Sequence, residues 1–119
     1  MLGIERVPTP WTYSQAVAAG DYVFLALHRG AGPDFATQFD GAIEALSETL
    51  ATFRLTLGEL VKVHVWLKRI EDLPEMEQRF NDYFAVDTFP ARMTATTEFV
   101  DADCLVMIEG TAYRGGVTV

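Results

Sequence analysis

The spacing of hydrophobic residues changes along the chain, and each spacing predicts one kind of element. Residues 12–28 are predicted to form two strands around a tight turn, because Gly20-Asp21 is followed directly by a β-rich hydrophobic run. Residues 35–54 have apolar side chains three and four positions apart, which predicts an amphipathic helix. Gly58 lies near the expected end of this helix, where chains commonly leave a helix.

The second half of the chain contains three more strand patterns and a second helix. Residues 61–67 alternate strictly and predict a strand. One face of it would carry Val61, Val63, Val65 and Leu67, and the other Lys62, His64 and Trp66. Pro74 fits the first turn of a second helix, with Asp72 near its cap. Residues 91–99 and 104–113 are predicted as the last two strands.

The resulting order is ββαβαββ, an α+β arrangement with both helices on one face of a sheet. In the last strand, Ile108 would face the helices, whereas Met107 and Glu109 would point away from them. Arg92 and Thr94 share one face of the preceding strand. We therefore expect polar groups to gather on the uncovered face, and mixed aromatic and polar faces often mark interfaces. The alternative is an ordinary solvated sheet face.

Composition and charge limit the class of protein. The 119 residues are 50% hydrophobic, which predicts a single domain (1–119) with one core. One cysteine excludes a disulfide scaffold, and Cys104 is expected to be a small buried residue. No run approaches the length of a membrane span, and residues 1–6 lack the features of a signal peptide. The expectation is a cytoplasmic protein with no membrane partner.

The net charge of −8 makes a nucleic-acid partner unexpected. Basic residues are scattered, although an isolated arginine could still bind a small anion. The common signatures of zinc, dinucleotide and nucleotide-triphosphate sites are absent from the sequence, as is the serine-hydrolase elbow. His64, on a strand beside Trp66, is interpreted as a structural or interface residue rather than a base. No metal site is expected.

Five segments nonetheless resemble one family. They occur in order at compatible spacings: YSQAV (13–17), LVKV (60–63), FNDYF (80–84), PAR (90–92) and IEGTA (108–112). Together they resemble the YjgF/Rid family, the reactive intermediate deaminases, over about residues 5 to 114. The resemblance implies a fold like the bacillary chorismate mutase, a homotrimer whose three sheets face inward as a barrel, and ligand sites between subunits.

The resemblance also implies an activity. Well-studied members hydrolyse enamine and imine intermediates, such as 2-aminoacrylate, to keto acids and ammonia without a metal or cofactor. These intermediates are released by pyridoxal-phosphate-dependent dehydratases. The partner implied is therefore a small carboxylate-bearing substrate.

Three matched residues imply roles in that reaction. Arg92, in the PAR segment, would bind the substrate carboxylate through two parallel N–H···O bonds. Glu109 would orient or activate the attacking water. Tyr13 would line the cleft and hydrogen-bond the substrate. The alternatives are a structural strand arginine, an ion-pairing glutamate and an interface aromatic.

The chain departs from the family pattern at several site positions. Ala26-Leu27-His28 stands where typical members have S-G-Q, so Leu27 is expected to reshape the ligand pocket, and His28 to add a group that titrates near neutrality. Thr94 replaces a frequent cysteine, and Glu77 a typical asparagine. Leu27, His28 and Thr94 are the expected further substrate-binding positions.

These departures leave three functional hypotheses open. The first is a trimeric enamine/imine deaminase. The second is a non-catalytic trimer that binds a small carboxylate or a partner protein, which the altered segment at Leu27 supports. The third is the ribonuclease activity attached to some relatives, which the net charge of −8 disfavours.

Overall fold

A computed structural model describes residues 3–115, which form six strands and two helices. In chain order these are β1 (Glu5–Pro8), β2 (Ser14–Ala19), β3 (Tyr22–His28), α1 (Phe35–Thr52), β4 (Leu60–Leu67), α2 (Leu73–Phe80), β5 (Ala91–Thr96) and β6 (Val106–Tyr113). The predicted α+β class is confirmed, as is the hairpin turn between β2 and β3, where Gly20 has a φ of 57°. The short strand β1 is an addition to the predicted order.

The six strands form one sheet in the order β1-β2-β3-β6-β4-β5. All neighbouring pairs are antiparallel except β4 and β5, which are parallel and are joined through α2. Parallel neighbours require such a crossover. Strand β5 is the last in this order, so it is an edge strand, and its Arg92 contacts Phe80 of α2.

The hydrophobic core lies between one face of this sheet and the two helices. Helix α1 buries a stripe at the predicted helical spacing, and α2 buries Met76 and Phe80. The sheet contributes Val23, Val63, Val65, Val106 and Ile108 to the same cluster. Cys104 is also buried, as predicted, and burial raises the pKa of its thiol. The opposite sheet face, here called the open face, has no helix over it among residues 3–115.

In strand β4, one side chain faces the opposite way from the prediction. Val61 was expected to point inward with Val63, but its side chain is 45% exposed and Leu60 is buried instead. The pairing of β4 with β6 shifts between Leu60 and Lys62, so an extra residue is accommodated there. A bulge of this kind exchanges the sheet faces to which the side chains before it point.

The helix ends also differ from the prediction in detail. Helix α1 ends at Thr52, and the chain leaves it through Arg54, whose φ of 61° is left-handed. Gly58 lies instead in a short 3₁₀ turn (Leu57–Glu59). Pro74 occupies the first turn of α2 as predicted, but Asp72 makes no side-chain cap hydrogen bond. Its carboxylate lies 3.4 Å from Nε of Arg69.

The last two strands are shorter than predicted, β5 ending at Thr96 and β6 beginning at Val106. Within residues 3–115, no helix is both long enough and apolar enough to cross a membrane.

Candidate functional site

A cleft of about 390 Å³ lies between α2 and the segment that enters β5. It is lined by Glu77, Phe80, Asn81, Phe89, Pro90 and Arg92. Arg92 is the second residue of β5, and its Cα pairs with that of Val63, a core residue of the parallel neighbour β4. Side chains of paired residues in adjacent strands share a face, so Arg92 projects to the helix side of the sheet.

Three contacts orient the Arg92 guanidinium in this cleft. Its Cζ lies 5.1 Å from the centroid of the Phe80 ring, a cation–π contact. Its Nε donates a hydrogen bond to Oγ1 of Thr94 at 3.0 Å, and its Nη2 forms an ion pair with Oε1 of Glu77. The Arg92 side chain remains 28% exposed, so part of the guanidinium is accessible from the cleft. Thr94 therefore acts here as a support for Arg92.

A second cleft, of about 280 Å³, lies on the open face and contains Glu109. Oε1 of Glu109 accepts a hydrogen bond from Nε1 of Trp66 at 3.2 Å and lies 3.2 Å from Nδ1 of His64. The antiparallel pairing of β4 and β6 places His64 directly opposite Glu109. Trp66 and His64 thus hold one carboxylate oxygen and leave the other oxygen of Glu109 for a further partner.

This His64–Trp66–Glu109 group was not predicted as a unit. The strict alternation of β4 placed His64 and Trp66 on one face, and Glu109 was expected on the same side of the sheet. The missing information was the register between β4 and β6, which brings the three side chains together.

Arg92 and Glu109 do not meet within one chain. The register places Arg92 beside Val63 on the helix side, whereas Glu109 pairs with His64 on the open face. The expectation that polar groups gather on the uncovered face is therefore wrong for Arg92 and Thr94. A site that uses both Arg92 and Glu109 needs a second copy of the chain.

His28 lies in the interior rather than in either cleft, since its side chain is only 2% exposed. Its Nδ1 lies 2.6 Å from the carbonyl oxygen of Ala26, and its Nε2 lies 2.8 Å from both Nε2 of Gln15 and Oγ1 of Thr49. A carbonyl oxygen can only accept, so Nδ1 carries the proton and Nε2 accepts from the amide and the hydroxyl. Desolvation lowers the pKa of His28, which favours the neutral form of the ring.

The reason for this interior position is an irregularity in β3. The pairing of β3 with β6 shifts between Leu25 and His28, so both of these side chains point inward. In this position His28 links β3 to α1 through its hydrogen bond with Thr49.

Leu27 and Tyr13, the other predicted positions, are both accessible. Leu27 lines a groove of about 320 Å³ on the open face together with Trp66 and Met107. Tyr13 directly precedes β2, and its side chain is 53% exposed. The open face also exposes several large apolar side chains, namely Tyr22, Phe24, Met93 and Tyr113. Within residues 3–115, no group of three or more His, Cys, Asp or Glu side chains is arranged to hold a metal ion.

Comparisons with known proteins find relatives that match nearly the whole chain. The sequence model of the family described as endoribonuclease L-PSP matches residues 4–114. A RutC family protein of Pyrococcus abyssi is 29% identical over 119 residues, covering 92% of this chain and 93% of that protein.

Two solved structures have the same fold. A YjgF family member from Streptococcus pyogenes has a TM-score of 0.86 at 28% identity, covering 95% of this chain and 98% of that one. A member of the YjgF/YER057c/UK114 family from Mycobacterium tuberculosis has a TM-score of 0.86 at 24% identity, covering 93% and 99%.

Proposed function

Because the chain belongs to the endoribonuclease L-PSP family, known also as the YjgF or Rid family, we propose that it hydrolyses enamine and imine intermediates that carry a carboxylate. The products would be keto acids and ammonia. The observation that carries this proposal is an oriented, partly exposed arginine, Arg92, in a cleft of about 390 Å³.

Arg92 suits the recognition of a substrate carboxylate. The planar guanidinium presents parallel N–H groups that match the two oxygens of a carboxylate, which a lysine ammonium does not reproduce. The contacts with Phe80 and Thr94 hold its plane in place before a ligand binds. Preorganisation of this kind reduces the entropy lost on binding.

Glu109 is the proposed water-activating group. Its Oε1 is held by Trp66 and His64, which leaves the other carboxylate oxygen free of these two partners. That oxygen would accept a proton as water adds to the imine carbon, and proton transfer to nitrogen would then release ammonia. An enamine first becomes an imine by gaining a proton on carbon.

The proposed assembly is a homotrimer in which the open faces turn inward. Support comes from the large apolar side chains exposed on that face, among them Phe24 and Met93. In such an assembly the cleft with Arg92 would be completed by a neighbouring chain, which would contribute the open-face groups near Glu109. Arg92 and Glu109 lie on opposite faces of the sheet in one chain. In the trimer, Arg92 of one chain would instead lie near Glu109 of a neighbouring chain.

The reaction needs only modest catalysis, since such imines already react with water without an enzyme. Orientation of the substrate carboxylate and one positioned base would supply it. The intermediates are products of intracellular dehydratases, so a cytoplasmic location is part of the proposal.

One observation favours a second candidate function, which is binding of a small carboxylate without catalysis. Leu27 projects into the open-face groove where typical family members have glycine, and this side chain would narrow a cleft formed there. A ribonuclease activity has less support, because the net charge of −8 opposes the approach of a polyanion.

The experiment that tests the proposal generates 2-aminoacrylate and several larger imines in situ and follows keto-acid formation. We expect the chain to accelerate at least one of these reactions, Arg92→Ala to lose the acceleration, and Arg69→Ala to retain it. Arg69 is a matched control because it is an exposed arginine that pairs with Asp72 outside the cleft. Absence of acceleration for every imine would exclude the deaminase and leave the binding function.

A further inference from the structure

We infer that Glu77 makes the Arg92 cleft selective for ligands that carry a positively charged nitrogen next to the carboxylate. Such ligands are protonated imines of 2-oxo acids and α-amino acids, as opposed to simple carboxylates. The inference deepens the proposed function and rests on it for the identity of the reactive ligand.

The first observation is that Arg92, the anion-binding group of the cleft, is already paired with a carboxylate of the same chain. Glu77 projects from α2 into the cleft, and its Oε1 pairs with Nη2 of Arg92. The Glu77 side chain is 53% exposed, so it borders the open part of the cleft rather than its floor. A ligand that approaches Arg92 therefore meets a negative charge beside the positive one.

The second observation is that Arg92 retains donors for a ligand. An arginine has five N–H groups, and among residues 3–115 one is used by Thr94 and one by Glu77. A ligand carboxylate can bind the remaining donors while Glu77 stays nearby. The cleft therefore presents an adjacent donor and acceptor pair, as a zwitterion requires.

Electrostatics then separates two classes of ligand. A simple carboxylate on Arg92 would lie close to the Glu77 carboxylate, and like charges at such a distance repel. A ligand with a cationic nitrogen next to its carboxylate would place opposite charges against both side chains. Glu77 thus weakens the first class of ligand and favours the second.

The ligand preference expected from Glu77 matches the difference in charge between the substrate and the product of the proposed reaction. A protonated imine, R–C(=NH₂⁺)–COO⁻, takes up one water and yields R–CO–COO⁻ and NH₄⁺, so atoms and charge balance. The C=N bond is replaced by C=O, and the water protons leave with nitrogen. The substrate carries the cation that Glu77 binds, whereas the keto acid does not. Glu77 would therefore favour release of the product and pair again with Arg92.

Binding of two small probes tests this inference. Alanine and propionate have the same three-carbon chain, but only alanine carries the cationic nitrogen. We expect the wild-type protein to bind alanine about tenfold more tightly than propionate, and Glu77→Gln to remove that difference mainly by binding propionate more tightly. The dissociation constants are measured by calorimetry or NMR titration.

The matched control is Glu75→Gln. Glu75 lies on the same helix two residues earlier but pairs with Arg79, 2.8 Å from its Nε, outside the cleft. This variant changes the net charge equally and is expected to keep the preference for alanine. Glu77→Asn is the second variant if Glu77→Gln does not fold, since it also removes the charge.

The outcomes separate this inference from the proposed function. An equal affinity of wild type for alanine and propionate, failure to bind alanine, or an unchanged preference in both Glu77 variants would overturn the role of Glu77, even if imines are hydrolysed. A preference that depends on Glu77, with no imine accelerated, would support the selective cleft and contradict the deaminase.

Discussion

Arg92 and Glu109 project from opposite faces of the same sheet. Arg92 lies beside Val63 on the helix side, and Glu109 lies opposite His64 on the open face. One chain therefore carries two separate halves of the proposed site, a carboxylate-binding half and a water-activating half. Association of chains would unite them, which links oligomeric state to activity.

The first prediction concerns that association. Phe24→Glu, which puts a charge on the open face, should convert a species of about three chains into single chains, because burying an unpaired charge in an interface is strongly unfavourable. Light scattering coupled to size-exclusion chromatography measures the mass. Val86→Glu, at an exposed position outside the strands and helices, is the control and should leave the mass unchanged. A wild-type mass near 13.2 kDa would contradict the trimer.

The second prediction concerns the geometry of the anion site. Arg92→Lys keeps the charge but loses the parallel donors and the planar contact with Phe80. We expect kcat/KM for the preferred imine to fall about tenfold to a hundredfold, in line with the loss of about 1.5–3 kcal/mol from a charge-assisted hydrogen bond. Steady-state kinetics measures it, and Arg69→Lys should match wild type. Full activity of Arg92→Lys would show that charge alone suffices.

The third prediction separates chemistry from binding. Glu109→Gln should lower kcat by a factor of about 10² to 10⁴, because the amide cannot accept a proton from water. Its affinity for alanine should change little, since Arg92 and Glu77, and not Glu109, are the proposed partners of the charged groups of alanine. Parallel measurement of kcat and of the alanine dissociation constant checks both parts. An unchanged kcat would exclude Glu109 as the base.

The fourth prediction concerns stability and pH. Burial lowers the pKa of His28 below its ordinary value of 6.5, so the unfolded state binds a proton more readily than the folded state. The free energy of unfolding should be highest above pH 6.5 and should decrease as the pH falls below 6.5 towards the lower pKa of the folded state. Urea denaturation at a series of pH values measures this slope.

His28→Gln should remove that pH dependence and lower stability at pH 8 by about 1–3 kcal/mol, because the amide does not place its donor and acceptor where the ring meets Ala26, Gln15 and Thr49. A His28→Gln protein with the wild-type slope would contradict this account.

Local pattern was sufficient for most elements of the fold. The helical period ended within two residues of the true end of α1, and Pro74 located the start of α2. Strand β1 was missed because four residues, mostly exposed, carry too little alternation to detect. The bulge at Val61 was missed because it arises from the pairing of β4 with β6 rather than from the sequence of β4.

For the site, the sequence identified the candidate residues, and the structure showed where their side chains lie. The order and spacing of the motifs led to Arg92 and Glu109 directly. The sequence could not show that His28 points inward, because the irregularity of β3 that turns it depends on the register with β6. It also could not show that Glu77 pairs with Arg92, since these residues belong to elements that meet only in the folded chain.

The sequence by itself determined the α+β class, most of the core residues and the family, because periodicity and motif order can be read directly along the chain. Only the tertiary structure showed that Arg92 and Thr94 lie on the helix side of the sheet and that His28 lies in the interior. The parallel pairing of β4 and β5 turned Arg92 towards α2 and its counter-ion Glu77. The antiparallel pairing of β4 and β6 turned Glu109 towards His64 and Trp66. Because side chains alternate along a strand, a shift of register by one residue exchanges the two faces, and register is set by contacts between distant segments.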